Sequence, residues 1–202
     1  MVPCNQIKML GYADDTSFTI ADETSIIESF KILKQFELAT GLILNNNKTK
    51  VFRIGQWADR IHWPVGNIHI SGDSICILGI TFMNDFNTAV SATWSSVIQK
   101  ITKQVSLFQA RKVNLFQRSI IVYTLVQSKV WYISQTYPLS EKVSKSINKI
   151  VFPYIWNSSG EPLKRNVIYR DKEVGGINLC NVYTKELSIF TKTYKYIYIY
   201  IY

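Results

Sequence analysis

Tyr12-Ala13-Asp14-Asp15 stands between Ile7-Lys8-Met9-Leu10 and Ser17-Phe18-Thr19-Ile20, two strand-like apolar runs, and its reading decides the fold. Two such runs on either side of a short break predict a hairpin with adjacent carboxylates at its tip. Magnesium prefers hard oxygen ligands in an octahedron, and a pair of such ions can clamp both the attacking and the leaving oxygen of a phosphoryl transfer. Carboxylates on a hairpin tip hold ions of that kind rigidly. The other reading is a solvated turn, since Asp is favoured wherever side chains bond their own backbone.

The residues that follow narrow the choice. Asp22 to Thr40 reads as a helix: Ser25 with Glu28 makes a capping box, and Ile26, Ile27, Phe30, Leu33 and Phe36 fall on one face. Gly41 stops it, and Leu42-Ile43-Leu44-Asn45-Asn46-Asn47-Lys48-Thr49 continues as an extended segment carrying a lysine.

This order of strand, Asp-Asp turn, strand, helix, Gly-Leu-x-Leu-Asn and Lys-Thr resembles the C-terminal half of the reverse transcriptase palm in non-LTR, LINE-type retrotransposons. The resemblance runs over roughly residues 5 to 190 and is strongest before residue 50. Ile77-Leu78-Gly79-Ile80-Thr81-Phe82 looks like the turn that supports the primer strand. Phe152-Pro153-Tyr154-Ile155-Trp156, Arg165 and Gly175-Gly176-Ile177-Asn178-Leu179 are similar to the region after the thumb. It implies an α+β, helix-rich fold: a partial polymerase palm with an Asp-Asp hairpin, followed by a helical thumb bundle. The implied segments are a palm and primer-grip-like hairpin at 1–85, a thumb-like bundle at 86–157, a post-thumb segment at 158–190 and a Tyr/Ile tail at 191–202. In the intact enzyme Asp14 would ligate Mg2+, Asp15 would support or ligate it, and Tyr12 and Ala13 would line the primer terminus. Leu78 and Gly79 would form the primer grip. Lys48 would approach the triphosphate as general acid toward pyrophosphate, unless it is an ordinary surface lysine.

Further along, Asn67-Ile68-His69-Ile70-Ser71 and Ser74-Ile75-Cys76-Ile77-Leu78 flank Gly72-Asp73, which predicts a second hairpin. From Val90 the period turns helical. Val90, Trp94, Val97, Ile98, Ile101, Val105 and Phe108 make one stripe, with Lys100, Lys103 and Arg111 off it. Leu115 to Gln135 is apolar nearly all round, as in the central helix of a bundle. Ser140 to Trp156 predicts a third helix with Val143, Ile147, Ile150 and Ile155 inward and Pro153 kinking or ending it. Three helices after a palm look like a polymerase thumb, which places Lys100, Lys103, Arg111, Lys112 and Arg118 near phosphates.

A chain of 202 residues that is 47% hydrophobic can bury a real core, and its net charge of +9 favours an anionic partner. Nucleic acid fits the resemblance better than a membrane surface does: RNA template, DNA primer or RNA/DNA hybrid. Cys4, Cys76 and Cys180 are scattered and odd in number, so buried free thiols are expected. With only His62 and His69 they make no zinc spacing. The first residues lack the apolar core of a signal peptide. Leu115 to Ile133 is too interrupted by Gln117, Arg118, Gln127 and Lys129 to span a membrane. Nothing here indicates secretion, and the compartment, intracellular whether nuclear or cytoplasmic, is left open by the sequence. The alternation Tyr196-Ile197-Tyr198-Ile199-Tyr200-Ile201-Tyr202 reads as translated TA-repeat DNA with high β propensity.

A two-metal site needs carboxylates from more than one strand, and in the family a further aspartate comes from well before the Asp-Asp turn. No acidic residue lies among the first eleven here. The sequence therefore predicts a fragment of an RNA-directed DNA polymerase, inactive alone unless another chain supplies the missing palm half. The alternatives are a non-catalytic nucleic-acid-binding remnant and a relic without selected function.

Overall fold

Two of the strand pairs among the described residues close around two-residue turns, and the apolar-striped runs form long helices. The computed structural model describes residues 9–58, 69–70 and 72–201, and these make a helix-rich α+β chain. It divides into two compact units, Met1–Ile75 and Cys76–Tyr202.

In the first unit β1 (Met9–Tyr12) pairs antiparallel with β2 (Asp15–Phe18), Tyr12 facing Asp15 across the register. Helix α1 (Glu23–Thr40) follows. Its cap is Asp22 rather than a box built on Ser25: the Ser25 amide donates to Asp22 Oδ1 at 2.7 Å, because a carboxylate one turn earlier already satisfies the free N-terminal amides. Gly41 ends the helix at φ 74°, its N–H donating to the Glu37 carbonyl. Only Ile26 of the apolar stripe is buried, while Ile27 and Phe36 are exposed. The following segment is fixed by the Leu44 amide donating to Glu37 Oε1 at 2.6 Å. It then turns at Asn45, so Lys48 lies in a turn and not on an extended stretch. A short β3 (Lys50–Val51) pairs in parallel with β4 (His69–Ile70), and a 3-10 turn covers Gly55–Trp57. Cys4 and His62 lie outside the described residues.

The expected hairpin around Gly72-Asp73 is displaced. β5 (Ser74–Ile77) pairs with β6 (Ile80–Met83) around Leu78-Gly79, and β4 belongs with β3. Leu78 and Gly79 both have positive φ, 49° and 84°, the combination a tight hairpin turn requires. Tertiary hydrogen bonds hold this register. The Thr81 amide donates to Thr93 Oγ1 at 3.0 Å, and the Tyr137 hydroxyl donates to the Thr81 carbonyl at 2.9 Å.

Helix α2 (Phe86–Gln109) starts one turn before Val90 because Asp85 caps it, accepting from the Thr88 amide at 2.7 Å. Its stripe is buried as read, with Trp94, Val97, Ile101 and Val105 inside and Trp94 Nε1 donating to the Pro138 carbonyl. The run after Asn114 is helical throughout, as α3 (Leu115–Ile121), a π-helical turn (Val122–Gln127) and α4 (Ser128–Ser134). A full capping box of Asn114 and Gln117 opens it. It is not central: Val122, Val126, Val130 and Ile133 are buried, but Phe116, Ile120, Tyr123 and Tyr132 face solvent. Helix α5 (Glu141–Trp156), capped by Ser140, passes through Pro153 and ends three residues later at Trp156, with Asn157 closing it in the left-handed region. Packing overrides the proline there, since Phe152, Tyr154 and Ile155 are all buried. Each such side chain contributes roughly 1.5–3 kcal/mol.

After α5 come α6 (Arg165–Ile168) and a 3-10 turn (Lys172–Val174). The Gly175-Gly176-Ile177-Asn178-Leu179 motif then folds back on α6. Gly175 has φ 82°, and a Cβ on Gly176 would stand 1.9 Å from the Arg170 carbonyl oxygen. The Ile177 and Leu179 amides both donate to the Ile168 carbonyl, and both side chains enter the core. Helix α7 (Val182–Ile201) takes in most of the tail expected to favour a strand. Val182 and Glu186 anchor its first turns in the core. From there each added residue gains an internal hydrogen bond, whereas a strand would need a neighbour. Cys76 is exposed and Cys180 half-buried, so neither is the fully buried thiol expected. Among the described residues no helix is long and apolar enough to cross a membrane.

Candidate nucleic-acid interface

The Asp-Asp pair sits at a two-residue turn. Ala13 and Asp14 form it and Asp15 opens β2, all exposed. Ala13 holds φ 49°, in the left-handed region where a Cβ costs about 1–2 kcal/mol. Strain of this kind is often kept where a turn must present neighbouring groups. Tyr12 is exposed at the end of β1. Lys48 is exposed too, its amide donating to the Asn45 carbonyl at 3.0 Å. The hairpin offers two hard carboxylates, enough to hold one magnesium ion together with water and phosphate oxygens. Among the described residues no group of three or more His, Cys, Asp or Glu converges.

In the second unit several of the anticipated residues meet. The Leu78-Gly79 turn is fastened to the helices by the Tyr132 hydroxyl, which donates to the Leu78 carbonyl at 2.9 Å. Lys100 Nζ lies 4.0 Å from the position a Cβ on Gly79 would occupy. The turn and a cation of α2 therefore share one surface. Along α2, Lys100, Lys103 and the exposed Leu107 recur at helical spacing, and Arg111 and Lys112 continue the exposed basic run past the helix end. Arg111 stacks its guanidinium 4.8 Å over the Phe108 ring, which holds it in place. Among the described residues no carboxylate pairs with any of these four cations, whereas Lys31 and Lys34 on α1 are paired with Glu28 and Glu37 at 2.7 and 3.1 Å.

Arg118 is not on that surface. It is 7% exposed, its Nε donates to the Val113 carbonyl at 3.1 Å, its Nη1 donates to the Tyr154 carbonyl at 2.7 Å, and its guanidinium lies over the Tyr154 ring. These donors serve the backbone before α3 and within α5. The signal was present: Arg118 stands four and eight residues before Val122 and Val126, on the buried face. Arg165 is likewise structural, bonded to Glu161 at 2.8 Å and stacked 4.1 Å over Phe152. That pairing holds the Glu161 carboxyl below its ordinary range.

Two features of this face escaped the sequence reading. Lys129 on α4 donates to Gln104 of α2 and to the Leu125 carbonyl, which sets a further cation against α2. From Asp85 to Glu141 the chain carries six basic residues, five besides the buried Arg118, and no acidic one between them, a pattern visible in the sequence itself. Such a stretch can face phosphates without internal neutralisation. No protein-family model matches the chain, and no curated protein matches it.

Proposed function

We propose that the chain is the late-palm, thumb and post-thumb part of a non-LTR, LINE-type reverse transcriptase, and that alone it grips nucleic-acid duplex without extending it. The observation that carries this reading is the juxtaposition of the Leu78-Gly79 turn with Lys100, beside the basic face formed by Lys103, Arg111 and Lys112. A turn held against a row of cations suits the backbone of a primer strand, whose phosphates are contacted without regard to base. The Asp14-Asp15 hairpin supports the family assignment on the chemical side. Bound magnesium there would stabilise charge on the oxygens of phosphoryl transfer. Asp14 would ligate it, Asp15 would support or ligate it, Tyr12 and Ala13 would flank the primer end, and Lys48 would donate a proton to pyrophosphate. Two carboxylates supply only part of a two-metal site, so the chain alone binds and does not polymerise.

Primer extension on an RNA template with the purified chain and magnesium tests this, alongside binding of an RNA/DNA hybrid. The expected result is hybrid binding without extension. Extension that disappears in Asp14→Asn, or no hybrid binding at low salt, contradicts it.

A further inference from the structure

A groove of about 780 Å³ opens in the second unit where α3, the loop after the Gly175-Gly176 turn and the first turns of α7 meet. Tyr123, Tyr169, Lys172, Asn178, Asn181 and Lys185 are among its lining, and no carboxylate is. Glu186, one residue after Lys185, turns the other way into the core. Tyr123 is half exposed on the π-helical turn and is set edge-on against Trp131, with ring centroids 5.0 Å apart. Lys172 stands at the rim, shared with a smaller neighbouring groove whose Phe116 ring lies 5.8 Å from its ammonium. The Asn181 side-chain oxygen already accepts from the Tyr183 and Thr184 amides, which leaves its NH2 to donate into the groove.

Two cations without an anion, an exposed aromatic ring and amide groups able to meet base edges are the parts of a surface for unpaired nucleotides. Aromatic rings stack bases whatever their identity, and the lysines follow the backbone. We infer that this groove binds single-stranded nucleic acid, at a place distinct from the basic face of α2. The inference rests on the chain being a nucleic-acid-binding protein. An unpaired template or primer extension would occupy the groove while the duplex portion lies on α2.

The test compares a dye-labelled short oligouridylate, which has no duplex, with an RNA/DNA hybrid on the full chain. Tyr123→Ala, which leaves the charge unchanged, and Lys172→Gln/Lys185→Gln should each weaken oligouridylate binding by about tenfold. The lysine variant should also flatten its salt dependence by about 1.4 in log K against log salt, from roughly 0.7 per phosphate on single strands. Hybrid binding should change far less. Should a variant fail to fold, the unaltered chain still decides: Cys180 lines the groove, and oligouridylate should slow its alkylation relative to exposed Cys76. Burial pushes the Cys180 thiol up, so the reaction is run in mildly alkaline buffer. Oligouridylate binding that ignores these substitutions, a variant that loses hybrid and oligouridylate equally, or Cys180 left unprotected overturns the groove. Hybrid binding with no oligouridylate binding overturns the groove alone, and binding of neither overturns the proposed function as well.

Discussion

The two units spend their apolar residues in opposite ways. Among the described residues of the first, Ile26 is the one fully buried hydrophobic side chain, while Met9, Leu10, Tyr12, Ile32, Phe36 and Leu38 are exposed, Leu38 by 79%. The second buries twenty-one, from Ile80 to Val182, in a single cluster. A two-stranded hairpin and one amphipathic helix cannot shield each other's apolar faces, whereas three long helices and α7 can. The carboxylate pair thus sits on the thinly packed unit and the cationic face on the well-packed one. On the proposed function, nucleic-acid binding should therefore outlast any ordered metal site.

The largest effect expected from this contrast is on unfolding. Trp94→Ala should destabilise the second unit by about 3–5 kcal/mol, from a lost ring, a cavity and the lost bond to Pro138. Ile26→Ala should leave the main unfolding transition, followed by tryptophan fluorescence and denaturant, where it was. If the two substitutions shift that transition equally, the units do not differ as described.

Next is the contrast between two arginines that look alike in sequence. Arg118→Ala strips donors from the Tyr154 and Val113 carbonyls and should cost about 2–4 kcal/mol in denaturant unfolding. Arg111→Ala, at the exposed end of α2, should cost under about 0.5 kcal/mol. The reverse order would return Arg118 to the phosphate-binding set.

A smaller effect concerns Glu186, a flaw in the better core. It is 1% exposed, and Oε1 accepts from the Leu139 amide at 3.0 Å while Oε2 has no partner. Burial raises its carboxyl above the ordinary value, against the lowering effect of the Leu139 amide. A raised folded-state value means that the unfolded chain gives up its proton first. Stability is then unaffected below the ordinary carboxyl value and falls as pH rises through and above it, until the folded form also ionises. Glu186→Gln should therefore be more stable than the parent at neutral pH, by about 1 kcal/mol, and close to it at pH 4. Thermal melts at the two pH values check this, and a gap that widens on acidification contradicts it.

Much of this was legible, and the misses have causes. The caps at Gly41 and Ser140 and the α2 stripe follow from local chemistry that packing reinforced. The second hairpin was misplaced because Gly72-Asp73 and Leu78-Gly79 are equally good turns locally. Bonds from Thr93, Tyr137 and Tyr132, all distant in sequence, select the later one. Pro153 and the Tyr/Ile tail defied local propensity where buried neighbours anchor the helix. For the candidate site, Lys100, Lys103, Arg111 and Lys112 could be read from the helical period. The post-turn groove could not, since Tyr123, Lys172 and Lys185 converge only through the fold back at Gly176.

The most direct test of where binding resides is the salt dependence of RNA/DNA hybrid affinity in two double variants. Lys103→Glu/Arg111→Glu should flatten the slope of log K against log salt by about two, near 0.9 per phosphate contact as in B-form DNA. Lys31→Glu/Lys34→Glu, whose side chains already face Glu28 and Glu37, should flatten it much less. Equal slopes in the two variants, or a parent whose binding ignores salt, would contradict a duplex-binding face on α2.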